Sequence, residues 1–220
     1  MLIQLDFWAV LIDWPILLTG IAWTVGLTAI ATVVGVSLAI VFAWVRMYAA
    51  PVLQYMVASY VELFRNTPFI VQLFFIFFGL PAMGVKLSAE AASLLAMVLN
   101  LTAYATEIIR AGLLATPKGQ IEAAQSLALS RLQIFKDVVL PPALKKIWPA
   151  LVSQIIIVML GSAVCGQIST EELSYAANLI QSRNFRAFEA FIIATVIYLV
   201  LSMALRSVLN ALGTRFIFKR

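Results

Sequence analysis

The chain has 220 residues, of which 63% are apolar and 11% charged, with a mean hydropathy of +1.02 and a net charge of +5. Soluble domains carry roughly 25% charged residues, so this composition excludes a soluble globular domain and places the chain in a membrane. A single cysteine, Cys165, excludes an internal disulfide, and the absence of histidine removes the commonest metal ligand.

A helical span needs about 20 mostly apolar residues, so the length accommodates five or six spans in one integral domain, residues 1–220. Asp6 and Asp13 precede the first basic residue, Arg46. That is the reverse of the basic n-region of a cleavable signal peptide, and the first hydrophobic segment is expected to be retained. The first span is predicted over residues 15–44, from Pro15 to Trp44. Gly20, Thr24, Thr28 and Thr32 repeat at helical spacing along it, a pattern that favours close helix packing.

The second span, residues 51–80, is interrupted by Glu62-Leu63-Phe64-Arg65-Asn66-Thr67-Pro68. If the span enters near residue 51, Glu62 lies about 16 Å deep at 1.5 Å per residue, close to the middle of the bilayer. Glu62 and Arg65 are i, i+3 neighbours able to pair. Pro68 removes a backbone donor and frees the carbonyl near Phe64. Broken backbone at depth survives only where it is buried in protein or lines a wet cavity, so this segment is a candidate translocation path, with a structural ion pair as the plainer alternative.

A third span is predicted over residues 88–112, with Glu107 and Arg110 placed to pair near one end. Residues 113–146 are polar. Thr116-Pro117 is an expected N-cap and first helical residue, with Ile121, Ala124, Leu127 and Ala128 as the buried face of a short helix. Ser130 and Gln133 form a capping box that opens a second helix at residue 131, which Pro141 and Pro142 are expected to stop. Spacing alone fits an interfacial amphipathic loop as well as a docking site. The fourth span, residues 147–168, holds Cys165 as a packing residue. Ser169-Thr170-Glu171-Glu172 then caps a short helix over residues 171–181, and a fifth span covers residues 187–212.

Five spans put the termini on opposite sides. With the N-terminus outside, the inner side receives Arg46, Arg110, Lys118, Arg131, Lys136, Lys145, Lys146, Arg206, Arg215, Lys219 and Arg220, leaving Lys86, Arg183 and Arg186 outside. The expected fold is therefore an all-α integral membrane protein of about five transmembrane helices, N-out and C-in, with a cytoplasmic helix pair in residues 116–141.

That cytoplasmic pair resembles the signature of permease subunits in ATP-binding-cassette importers: Glu-Ala-Ala, three residues, glycine, nine residues, then Ile-x-Leu-Pro. Glu122-Ala123-Ala124 and Leu140-Pro141 stand at the matching spacing, with Ala128 in place of the glycine and Val138 in place of the isoleucine. The glycine's loss would bear on close backbone packing. Phe64-Arg65-Asn66-Thr67-Pro68 with Gln72, Gly79-Leu80-Pro81, Leu99-Asn100, Ala103-Tyr104, Glu107-Ile108-Ile109-Arg110 and Lys118-Gly119-Gln120 resemble runs of the polar amino-acid branch, the histidine/glutamine permease-like proteins. This resemblance implies a membrane-spanning subunit that works with a second permease, an extracytoplasmic solute-binding protein and two cytoplasmic ATPases, in a bacterial inner membrane. ATP and Mg would be held by the ATPases, in keeping with the absence of a P-loop motif from this chain.

By the same resemblance Gln120, Glu122, Ala123, Ala124, Ala128 and Pro141 couple the permease to the ATPase. Glu62, Arg65, Asn66, Thr67, Pro68, Gln72, Asn100 and Tyr104 are the candidates for the translocation path. Many relatives carry a Lys-Asp-Thr-Ser-like run where Leu160-Gly161-Ser162-Ala163 stands here, which favours a related, non-identical second permease that keeps the charge; a homodimer satisfies the count equally. A secondary transporter or channel would show an internal repeat or paired broken helices, and neither is read here. An integral membrane enzyme finds no metal cluster and no nucleophile with a base.

Overall fold

In the computed structural model residues 5–217 are described, and among them there is no strand. A short α1 (Trp8–Leu11) leads into α2 (Trp14–Tyr48). Then come α3 (Pro51–Arg65) and α4 (Phe69–Phe74), which continues through a π turn, Phe75–Gly79, into α5 (Leu80–Ala82). The long α6 (Ala89–Leu114) precedes the short α7 (Lys118–Ser126) and α8 (Arg131–Gln133). A second π turn, Ile134–Val139, joins α8 to α9 (Leu140–Gly161), and a 3-10 segment, Ser162–Ile168, prolongs it. The described chain closes with α10 (Leu173–Asn184) and α11 (Ala187–Phe216).

Four runs are long and apolar enough to span a membrane: α2, α6, Arg131–Ile168 and α11. Helix α3 and the run Phe69–Ala82 qualify only as a pair, bent by 110°. Contacts along the helices decide whether that pair crosses. The Thr102 hydroxyl donates to the Gly35 carbonyl at 3.2 Å, and Arg46 meets Glu107 at 2.8 Å. Advancing along α2 therefore advances along α6 in the same direction. Two successive parallel spans require the chain between them to return across the bilayer, so α3 to α5 make one broken span.

Helix α9 runs against α6, with Ile147 over Gly112 near one end and the Ser93 and Thr170 hydroxyls 2.7 Å apart at the other. Helix α11 reverses once more, placing Gly213 against Trp148. The result is five crossings, with the two described chain ends on opposite faces. Lys219 and Arg220, counted for the inner side, lie outside the described residues.

The core forms around α6, where Ala92, Ala96, Met97, Leu101 and Ala105 are fully buried. In its most apolar stretch 61% of residues are buried within the chain, against 17% for α11, which packs least against the rest of the chain. The small-residue stripe on α2 packs as expected. A Cβ on Gly20 would come 2.8 Å from the Leu173 Cα, and the Thr24 hydroxyl accepts from the Leu173 amide at 3.2 Å. Cys165 is buried in the core as a free thiol.

Three expectations fail on local geometry. Pro141 and Pro142 do not stop the helix: Arg131–Ile168 is one 38-residue run, and the fourth span starts far before residue 147. A proline ring clashes with the carbonyl four residues back. The π turn widens the coil where those carbonyls lie, and Pro141 then sits in the first turn of α9, where its missing N–H costs little. The same arrangement recurs at Phe75–Gly79, one residue ahead of Pro81. Thr116 is not a cap: Pro117 takes that place, and the Thr116 hydroxyl is buried without a partner among the described residues. The helix after the fourth span starts at Leu173 rather than residue 171, because Glu172 caps it, its carboxylate accepting from the Ser174 and Tyr175 amides at 3.0 and 2.8 Å.

Candidate functional site

Two polar regions stand out from the apolar bundle, the segment from α7 to the second π turn and the break between α3 and α4. Helix α7 is nine residues long, too short to be stable by propensity alone. Its C-terminus is fastened instead by a Schellman motif. The Leu129 amide donates to the Ala124 carbonyl at 3.2 Å and the Ala128 amide to the Gln125 carbonyl at 2.9 Å. Leu129 then packs back with Ala124, beside Ile121, Leu113 and the Ile134 and Val139 side chains of the π turn.

The motif demands a left-handed residue, and Ala128 takes it with φ 57°. A glycine is favoured at this position for its backbone freedom rather than for close packing, which corrects the reading from sequence. The expected apolar face is corrected too. Only Ala124 is buried and Ile121 half-buried, while Leu127 is 76% exposed. The capping box at Ser130 and Gln133 forms as predicted, the Ser130 amide donating to the Gln133 Oε1 at 2.9 Å.

Gln120, Glu122, Ala123 and Ala128 are exposed on this segment, and Pro141 is half-buried at the head of α9. Leu132, like Leu127, projects outward, 74% exposed. Leu127 was expected on the buried face and Leu132 was not singled out by the sequence patterns. With Glu122 they leave two large apolar side chains exposed on a charged segment, a composition suited to a groove on another protein.

At the break, most of the expected path residues are drawn into one hydrogen-bonded joint. The buried Gln72 amide donates to the carbonyls of Phe64 and Thr67 at 2.8 and 3.0 Å and to the Thr67 hydroxyl at 2.9 Å. Its carbonyl accepts from Asn100 at 3.0 Å, tying α4 to α6. The Phe64 carbonyl freed by Pro68 thus receives a side-chain donor. Tyr104 donates its hydroxyl to the Arg65 carbonyl at 3.3 Å, while the Arg65 guanidinium lies 5.6 Å from the Tyr104 ring centre. Glu62 and Arg65 do not pair. Glu62 accepts from Asn66 at 2.8 Å, and Arg65 lies over the Tyr104 ring instead, although both residues stand on α3 ahead of the bend. Glu62, Arg65, Asn66 and Pro68 are exposed on the isolated chain.

Beyond these regions, Arg110 grips both oxygens of Glu107, as expected, but Arg46 joins from α2 at 2.8 Å to make a triad. Sequence spacing reveals an i, i+3 pair and not a partner 61 residues away. Glu172 is fully buried at the head of α10, where its carboxylate also accepts from the Tyr198 hydroxyl. Burial pushes its pKa up, and the bonds from Tyr198 and the Ser174 and Tyr175 amides act the other way. Leu160 is 44% exposed and Ser162 buried, donating to the Met159 carbonyl at 2.6 Å. Among the described residues no group of histidine, cysteine, aspartate or glutamate could hold a metal ion.

A broken span, an antiparallel helical core and a capped helix pair projecting from one face define a polytopic membrane permease. Residues 31–218 match the family of binding-protein-dependent transport system inner membrane components, and the chain belongs to that family, the permeases of ATP-binding-cassette importers. The putative glutamine transport system permease protein GlnP of Rickettsia conorii is 35% identical over 159 residues, 72% of this chain and 73% of that protein. The arginine transport system permease protein ArtQ of Bacillus subtilis is 33% identical over 203 residues, covering 92% and 93%. A crystal structure of an amino acid ABC transporter with histidines superposes with a TM-score of 0.89 at 34% identity, covering 97% of this chain and 100% of that one. The MetNI methionine transporter, at 22% identity and a TM-score of 0.66, shares the fold.

Proposed function

We propose that this chain moves a polar amino acid across a bacterial inner membrane as the permease of an importer whose ATPases bind ATP and Mg. The observation that carries the reading is the rigid α7 unit, pinned by its Schellman motif and π turn to α9 while Glu122 and Leu127 face outward. A helix held that firmly transmits a push from a soluble partner into a span. The relatives named for glutamine and arginine supply the substrate class.

In this reading the N-terminus is outside and residues 113–146 face the cytoplasm, in accord with their basic excess. Two ATPases offer two grooves, so a second permease is required, a related non-identical chain being favoured because Leu160 and Gly161 carry no charge. An extracytoplasmic binding protein delivers the solute, and the elbow at Gln72, Asn100 and Tyr104 lies beside its route. The test is ATP hydrolysis by the reconstituted complex, screened over amino acids with the binding protein present. Stimulation by one or a few polar amino acids is expected; hydrolysis indifferent to every amino acid would refute the assignment.

A further inference from the structure

The surface between α2 and α9 carries a cleft made of two adjoining hollows with Trp44, Tyr48 and Phe135 in common. Its deeper part, about 690 Å³, lies between α2 and α9 over α6, with Ile40, Trp44, Leu144 and Trp148 among its walls. It is apolar throughout. At Tyr48 and Phe135 it adjoins a second hollow of about 810 Å³, where Ile121 and Gln125 of α7 and Arg131 and Leu132 of α8 line the wall, Leu132 at the edge it shares with the outward surface around Glu122.

Three features identify the occupant. The apolar part follows α9 from Leu140 to Leu151, a rise of about 16 Å, which matches one hydrocarbon leaflet, half of the roughly 30 Å core. Trp44 and Tyr48, both 55% exposed with ring centres 6.2 Å apart, stand where the apolar wall gives way to the polar one, the position of an interfacial aromatic belt. The polar hollow holds a cation and no acid: Arg131 lines it and forms no ion pair among the described residues. The surrounding segment, residues 113–146, carries Lys118, Arg131, Lys136, Lys145 and Lys146 against Glu122 and Asp137.

We infer that the cleft binds an anionic phospholipid of the inner leaflet, with an acyl chain between α2 and α9 and the phosphate at Arg131. A zwitterionic lipid fills the apolar part equally well but gains less at the cation, so the headgroup hollow supplies selectivity. Because Ile121 and Gln125 form its wall, the lipid supports α7 on the face next to the exposed Glu122.

The test uses the full-length chain purified in mild detergent, exposed to equal amounts of phosphatidylglycerol and phosphatidylcholine and analysed by native mass spectrometry. Several-fold excess retention of phosphatidylglycerol is expected. The excess should vanish in Arg131→Gln, and both lipids should be lost in Ile40→Trp, a change the fold tolerates because Ile40 is 57% exposed. Equal retention of the two lipids by the unaltered chain, or an excess that survives Arg131→Gln, overturns the proposal. A photo-crosslinking residue at Ile40 gives an independent measurement. A lipid adduct supports the site, whereas an adduct to a second copy or another polypeptide assigns the cleft to protein and overturns it. Neither readout depends on transport.

Discussion

Replacing Gln72 by leucine tests the elbow directly. Gln72 is 7% exposed, and its amide holds both sides of the break: the Phe64 carbonyl left by Pro68 on one, and Asn100 of α6 on the other. Leucine fills a similar volume but offers no donor. An orphaned buried carbonyl costs about 1–3 kcal/mol, and the half-exposed Asn100 adds less because water reaches it. The sum is about 2–4 kcal/mol, and its lower end corresponds to a fall in melting temperature of roughly 4–8 °C for a chain of this size. The assay is thermal unfolding of the purified protein, run with Asn100→Leu and the double variant. Because the two amides bond each other, the double variant should lose about 0.5–1.5 kcal/mol less than the sum of the singles. Strict additivity, or a Gln72→Leu protein as stable as the parent, would refute the joint.

Glu122→Ala removes an exposed charge, so stability should change by no more than about 0.5 kcal/mol while solute-driven ATP hydrolysis is lost; a variant with full uptake would show that α7 needs no anchor. Ala128→Gly relieves a left-handed alanine that costs about 1–2 kcal/mol, partly offset by glycine's greater freedom when unfolded, for a net gain of about 0.5–1 kcal/mol. A lowered melting temperature would contradict the strain assigned to that position. Cysteines introduced at Lys118 and Arg183 should react with impermeant reagents from opposite sides of the membrane, and labelling of both from outside would invert or break the topology.

The amount of this structure legible in the sequence varies with how local the cause is. Apolar length is local, and it located the apolar segments that make five crossings. The capping box at Ser130 and Gln133 is a four-residue device and formed as read. Pro68 beside charged residues announced a break, although the 110° bend depends on how α4 settles against α6. Pro141 and Pro142 misled because proline normally ends a helix, and nothing local reveals that a π turn will absorb the clash. The Arg46–Glu107 contact and the burial of Glu172 against Tyr198 join segments far apart in the chain, beyond the reach of any periodicity. At Ala128 the signal was present but misassigned: a glycine expected after an apolar helix end indicates a left-handed cap before it indicates close packing.

The distribution of charge within the bundle bears on how the elbow works. Glu107 is consumed by two arginines, and Glu172 by Tyr198 and two amides, so neither offers an unsatisfied group to a solute. At the break the opposite holds. Gln72, Asn100 and Tyr104 satisfy the backbone, while Glu62 and Arg65 remain exposed beside Leu63, itself 59% exposed, and Phe75, 69% exposed. Exposed charge beside exposed aromatic surface at the level of a broken span is unstable against lipid and calls for a covering surface. The second permease of the proposed importer would meet that need. The elbow's amides are thus fixed on both sides of the break, whereas Glu62 is held by Asn66 and Arg65 by the Tyr104 ring and the charge of Glu107, so the charged side chains are the less constrained part of the joint.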